Sequence, residues 1–177
     1  MANYYKSLTP THIEFIGQQK MFFLASASQM EVNLSPKGLD ALRVISPERL
    51  LFLDFPGSGN RTARDIRLGG RITLMCCAFE GNPLILRCFC KGRLVEPSDA
   101  EFAERLELFD ENLRHRARRL VLLDVEAVET SCGWAVPQME FKTERQLLTD
   151  WVDKKTLSGE LQAYIDSHDQ PVDLQEI

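Results

Sequence analysis

The residues richest in reactive chemistry lie between positions 54 and 65, DFPGSGNRTARD, directly after RLLFLDF, a run that reads as a strand. Asp54, Ser58, Asn60, Arg61 and Thr62 bring a carboxylate, two hydroxyls, an amide and a guanidinium into one short stretch. Gly57 and Gly59 turn the chain, and a helix opening near Asn60 to Thr62 leaves backbone N–H groups without intrahelical partners. That combination is the chemistry of an anion cradle, above all one for phosphate. Glycine-rich turns also do nothing more than reverse a chain, so the stretch alone leaves both readings open. Neither common phosphate template is present, since no lysine follows the second glycine as in a P-loop and no third glycine completes a dinucleotide fingerprint.

Other reactive side chains form weaker patterns. Cys88 and Cys90 lie two apart in a strand and share a face, whereas Cys76 and Cys77 point to opposite faces. No Cys-x-x-Cys pair or nearby histidine completes a tetrahedral site, so no metal is expected. The cysteines read as small buried hydrophobes, with reactive thiols as the alternative. His12, His115 and His168 are scattered over presumptive helices without a nucleophile and carboxylate in register, which gives a hydrolytic triad no support. No residue is assigned as catalytic. The basic run RHRARR, 114–119, reads as the solvated end of a helix.

The elements that must position these groups follow from periodicity and punctuation. Thr9 caps and Pro10 opens a short helix with Ile13 and Ile16 one turn apart. MFFLASAS and EVNLSP form a strand pair, LRVIS and RLLFLDF a second pair broken at Ser46-Pro47-Glu48, and RITLMCCAF and LILRCFCKGRLVE a third across Glu80-Gly81-Asn82-Pro83. TARDIRLGG supplies a turn or two of helix before Gly69-Gly70 stops it. Ser98 and Glu101 are spaced as a capping box, and Phe102, Leu106, Phe109 and Leu113 predict one helix through that segment. LVLLDVEAVETS is a further strand, and two short helices carry Leu147, Leu148, Trp151, Leu161 and Ile165. The expectation is a mainly β fold: six or seven antiparallel strands closed as a barrel with peripheral helices. Residues 1–177 are read as one domain, with a C-terminal helical extension over about 143–170.

Composition narrows the partners. A hydrophobic fraction of 44% is ordinary for a globular chain, and no apolar run approaches the roughly 18 residues of a membrane span. A formal charge of -5 argues against non-specific nucleic-acid binding. MANYYKSLTPTHIEF lacks the apolar core of a secretory signal, and five cysteines are an odd number, so reduced thiols and a cytoplasmic location are expected.

NLSPKG at 33–38, LRV at 42–44, FLDFPGSGNRTA at 52–63, GRITLMCCAFEGNPLILRCFCKGR at 70–93 and SCGWAVPQMEF at 131–141 resemble, in that order, the pyridoxamine 5′-phosphate oxidase-related family of FMN-binding split barrels. The resemblance implies a six-stranded split barrel and a homodimer that holds FMN at its interface. Carried over by position, it implies that Arg43 reaches the ribityl phosphate while the backbone at Val44 runs beside the flavin. It further implies that Asn60, Arg61 and Thr62 form the phosphate segment, with an asparagine and a threonine where the oxidases have serine and lysine. Asp54 and Ser58 belong to the same loop. Lys37, with Ser35, could approach the groove, although a Pro-Lys-Gly surface turn is the simpler account of it. Arg87 would stand by the isoalloxazine edge, and Trp134 would wall the flavin in the dimer or else plug a barrel end.

The resemblance implies an FMN-dependent oxidoreductase acting on an unknown small-molecule substrate. The oxidases proper end in an Arg-x-His motif that grips their substrate, and SHDQPVDLQEI has none. Two alternatives remain: a haem-binding or haem-degrading split-barrel protein, and a non-enzymatic flavin binder.

Overall fold

The computed structural model describes residues 2–28 and 31–172. Its frame is one antiparallel sheet of eight strands: β1 (Asn3–Tyr5), β2 (Phe22–Ala27), β3 (Val32–Lys37), β4 (Leu42–Ser46), β5 (Arg49–Asp54), β6 (Arg71–Cys77), β7 (Leu84–Val95) and β8 (Arg119–Cys132). They run in the order β3-β2-β6-β7-β8-β5-β4, with β1 added to β8. The path curls into a barrel whose two ends, β3 and β4, are not paired with each other, so the barrel is split between them.

Seven of the strands coincide with the apolar runs of the sequence. The eighth, β1, is three exposed residues on the far end of β8 and carries no alternation from which it could be read. β5 and the first half of β8 are buried on both faces, which is why RLLFLDF and RLVLLDV are nearly continuous in apolar residues. Leu50, Phe52, Val121 and Leu123 fill the barrel interior, whereas Leu51, Leu53, Leu120 and Leu122 face a second core with Val95 and Phe109.

The helices are α1 (Pro10–Gln18), α2 (Arg61–Arg67), α3 (Phe102–Leu106), α4 (Glu111–Arg114), α5 (Leu147–Leu157) and α6 (Leu161–Ser167). In α1 the Thr9 hydroxyl accepts from His12 N, and His12 Nδ1 accepts from Thr9 N, a closed capping box. The single helix expected through Leu113 is corrected to two, because Asp110 is extended (φ -62°, ψ 140°) and restarts the chain as the cap of α4. The capping box at Ser98 does not form either: the Glu101 carboxylate turns to Arg93 and Arg105 instead. Phe102, Leu106 and Leu113 still pack on the second core around Phe109, so the apolar spacing was selected by that surface and not by one continuous helix. α5 and α6 lie between residues 147 and 167 and are joined by the edge contact of Trp151 with Tyr164 at 4.7 Å.

No helix among the described residues is long and apolar enough to cross a membrane.

Candidate functional site

β3 is an edge strand with two different faces. Val32 and Leu34 are 75% and 64% exposed on the outer face. Asn33, Ser35 and Lys37 form the inner row, opposite Ser26, Leu24 and Phe22 of β2, and continue the barrel's interior surface as a polar stripe. The stripe ends at α2. Asn33 Nδ2 donates to Ser26 Oγ and to Thr62 Oγ1, both at 3.2 Å, and Ser35 Oγ donates to Asn33 Oδ1 at 3.3 Å.

The network continues inward. Ser26 Oγ donates to Asp65 Oδ2 at 2.6 Å, and Asp65, fully buried, accepts from Arg64 Nε and Nη2 at 3.0 and 2.7 Å. Arg64 Nη1 then meets Glu31 Oε1 at 2.6 Å, where Arg61 Nη1 converges on the same oxygen. α2 lies close enough on the barrel to do this because Gly92 of β7 leaves room for Ile66. A Cβ at Gly92 would come within 2.7 Å of that side chain.

The loop between β5 and α2 is shaped by Arg118, which is 4% exposed. Its guanidinium donates to Asp54 Oδ2 at 2.9 and 3.1 Å and to the carbonyls of Gly59 at 3.1 Å and Gly57 at 3.4 Å. Lys37 Nζ lies 4.0 Å from the other oxygen of Asp54. Asn60 is buried and gives its amide not to the helix start but to the Asp169 carbonyl, and Arg119 approaches its Oδ1 at 3.4 Å.

The structure therefore gathers Lys37, Asp54, Ser58, Asn60, Arg61 and Thr62 around the loop and the end of the β3 stripe. Ser58 is exposed in the loop, and Arg61 is partly covered. Arg43 and Val44 lie elsewhere, lining a cavity of about 290 Å³ between α1 and β4 together with Lys20, Gly38, Asp40 and Cys76. Arg43 is held there by the Asp40 carboxylate at 2.8 and 3.0 Å and by the Leu108 carbonyl at 2.8 Å, with its guanidinium 4.9 Å over the Phe109 ring. Leu39 and Asp40, at the lip of the cavity, both have positive φ (62° and 52°), a strained conformation for residues with a side chain. Arg87 is paired with Glu129 at 3.0 Å and Ser131 at 3.1 Å on the β7–β8 ladder. Trp134 is 84% exposed in the loop after β8, which overturns the barrel plug for this chain.

Several members of this network were not singled out in the sequence. Asn33 had a signal, since a polar residue at every second position of an edge strand marks a wet inner face. Glu31, Arg64, Asp65 and Ser26 had none. The basic run at 114–119 is corrected in part: Arg118, directly before β8, and Arg119, its first residue, are 4% and 3% exposed and are not a solvated helix end. His115 is exposed and Arg116 largely covered, and both clasp Asp153 of α5.

The four cysteines of β6 and β7 are buried free thiols; burial pushes Cys88 up to about 12 and Cys76 and Cys90 higher still. They are packing groups. Among the described residues no group of three histidine, cysteine or acidic side chains is placed to hold a metal.

No protein-family model matches the chain. It is 33% identical over 148 residues, 81% of its length, to a pyridoxamine 5′-phosphate oxidase family protein of Aspergillus flavus, and it spans 59% of that relative's length. Among solved structures it resembles a Lactobacillus delbrueckii protein provisionally named as a pyridoxamine 5′-phosphate oxidase, with a TM-score of 0.56 and 17% identity over 70% of this chain and 94% of that one. HutZ, the haem storage protein of Vibrio cholerae, superposes with a TM-score of 0.51 and 20% identity over 72% of this chain and 98% of that one. At these identities the solved structures speak for the fold alone, an antiparallel split barrel.

Proposed function

We propose that this chain, related by sequence and by fold to the pyridoxamine 5′-phosphate oxidase family, is a cytoplasmic flavoprotein that binds FMN as a homodimer and serves as an oxidoreductase for a small molecule. The observation that carries the reading is the carboxylate of Glu31 clasped by Arg61 and Arg64 at the end of the β3 stripe. Two guanidinium groups converging on one oxygen atom can serve a phosphate oxygen as they serve this carboxylate.

The donor set fits a phosphate. Arg61 and Arg64 supply charge, Thr62 and Asn33 supply short polar contacts, and Asp65 fixes the orientation of Arg64. Asp54, pinned by Arg118, sets the loop that carries Ser58 and Asn60. β3 covers roughly 17 Å of extended chain from Val32 to Lys37. A ligand lying along its inner row with its phosphate at α2 therefore carries its ring end toward Gly38 and the cavity lined by Arg43 and Val44. In this arrangement Arg43 serves the ring end and not the phosphate. Lys37 lies along the way, while Arg87 and Trp134 would wall the ring from the second protomer.

When bound, FMN supplies the redox chemistry, and the protein supplies orientation, charge and exclusion of water. That division accounts for a site in which no residue is needed as acid or base.

The outer face of β3, with Val32 and Leu34 exposed side by side, supports a second copy as the cover. Each of the three histidines has partners of its own: His12 in the cap of α1, His115 on Asp153, and His168 stacked on Tyr164 at 4.0 Å. A visible spectrum of the purified protein tests the reading directly. Flavin absorption in the blue and near ultraviolet is expected, and an intense Soret band would replace it with the haem alternative. Turnover with reduced nicotinamide or an electron acceptor distinguishes an oxidoreductase from a flavin carrier.

A further inference from the structure

Arg118 and Arg119 are neighbours, both buried, and bonded in opposite ways. Arg118 donates to Asp54 at 2.9 and 3.1 Å. Every contact of Arg119 is long: 3.4 Å to Asn60 Oδ1, 3.3 Å to Asp169 Oδ1 and 3.3 Å to Glu96 Oε2, and its buried Nε makes no hydrogen bond. Charge-assisted hydrogen bonds of this kind ordinarily close to about 2.7–2.9 Å. A buried guanidinium is stable only when its donors are used, so Arg119 lies in a site shaped for a better acceptor than the one that fills it.

The acceptor now present comes from the segment after α6. Asp169 meets Arg67 at 3.0 and 3.1 Å with its carboxylate, in addition to Arg119, and its backbone carbonyl accepts from Asn60 Nδ2. Three residues on, the Val172 carbonyl accepts from Arg61 Nη2 at 3.2 Å. Two side chains of the cradle, Asn60 and Arg61, thus give donors to the chain's own C-terminal segment. Without Asp169, Arg67 and Arg119 would face only Glu96, leaving one positive charge uncompensated.

We infer that residues 168–172 form a strap over the cradle and that Asn60, Arg67 and Arg119 continue its Arg61 end as one anion-binding surface, on which the Asp169 carboxylate takes up donors that a ligand's phosphoryl group would otherwise use. A phosphorylated ligand and the docked strap exclude each other, so binding releases the strap. The identity of the ligand rests on the FMN reading above; the anion site and the strap do not.

The test uses the full chain as wild type, Asp169→Asn and, as control, Asp166→Asn, whose carboxylate bonds only to Gln162 among the described residues. Hydrogen exchange of the amides of residues 168–170 and 172 is followed with and without millimolar inorganic phosphate, and FMN and riboflavin affinities are measured by fluorescence. Asp169→Asn is expected to speed that exchange and to tighten FMN about three- to tenfold, because the competent state is no longer masked, with riboflavin unchanged. Inorganic phosphate is expected to speed the same amides in the wild type, and Asp166→Asn to leave them alone. Exchange in Asp169→Asn equal to the wild type overturns the strap, and FMN affinity unchanged or weakened in that variant overturns the competition. A wild type that binds FMN no better than riboflavin overturns the phosphate reading instead, and the exchange measurements still decide the strap.

Discussion

Asn33 Nδ2 lies 3.2 Å from Thr62 Oγ1, across 29 residues of sequence, and locks the inner row of β3 to the first turn of α2. Through Ser26, Asp65 and Arg64 the same network reaches the oxygen on which Arg61 converges. Strand and helix are therefore one hydrogen-bonded unit at the proposed phosphate end, and the groups around it have separable roles.

Arg61→Ala is expected to weaken FMN by about 2–3 kcal/mol through loss of a charge-assisted partner, with riboflavin nearly unaffected. Arg43→Ala, on the cavity 4.9 Å from the Phe109 ring, is expected to weaken both ligands alike. Titrations monitored by flavin fluorescence compare the two; equal losses for both ligands in Arg61→Ala would remove Arg61 from the phosphate.

The wild type is expected to scatter light as twice the 20.2 kDa chain. Leu34→Glu, which puts a charge on the outer face of β3 where Leu34 is 64% exposed, is expected to return the monomer mass. A wild-type monomer with FMN bound would rule out a shared site.

Trp134→Phe is expected to raise the emission of bound FMN, since an indole close to a flavin quenches it, while the dimer persists. Trp151→Phe is the control, because Trp151 packs on Tyr164 in the C-terminal helices at 4.7 Å. Recovery in the control and not in Trp134→Phe would place the C-terminal helices, and not the β8 loop, over the ring.

Asp54→Ala leaves the Arg118 guanidinium, 4% exposed, without its carboxylate and loosens the loop it shapes. The expected cost is about 3–5 kcal/mol of stability, measured by urea unfolding, together with loss of FMN binding. A change within the error of the unfolding curve would show that Arg118 is held by the Gly57 and Gly59 carbonyls alone.

Asp153 ties α5 to the turn before β8. The Arg116 guanidinium, with His115 adding to it and partial burial opposing it, holds its carboxyl at about 2 against an ordinary value of 3.8. A depressed carboxyl stabilises the folded state above its ordinary value and loses that contribution as pH falls toward about 2. Trp151 fluorescence is expected to report loosening of α5 over that window, and Asp153→Asn to abolish the pH dependence while weakening α5 at neutral pH.

Much of this was legible in the sequence because it is local. Alternation along MFFLASAS, the doubly apolar RLLFLDF, and Thr9-Pro10 before Ile13 and Ile16 each record which side chains seek the core or cap a helix, and those preferences act between near neighbours. The loop after β5 stood out for the same reason, since its glycines and its polar side chains are adjacent in sequence. Phe102, Leu106, Phe109 and Leu113 were correctly read as buried or half-buried, but their spacing suits two short helices on a curved core as well as one long one, and only packing decided between them. The partners of the cradle lay beyond local reach. Asn33 finds Thr62, Asp54 finds Arg118 and Asn60 finds Asp169 only once the strand order has been set, and nothing near Arg118 or Arg119 in the sequence separates a buried arginine from a solvated one. The separation of Arg43 from Arg61 has the same origin: one faces the cavity beside α1 and the other the far end of β3, and only the curl of the sheet determines which ends meet.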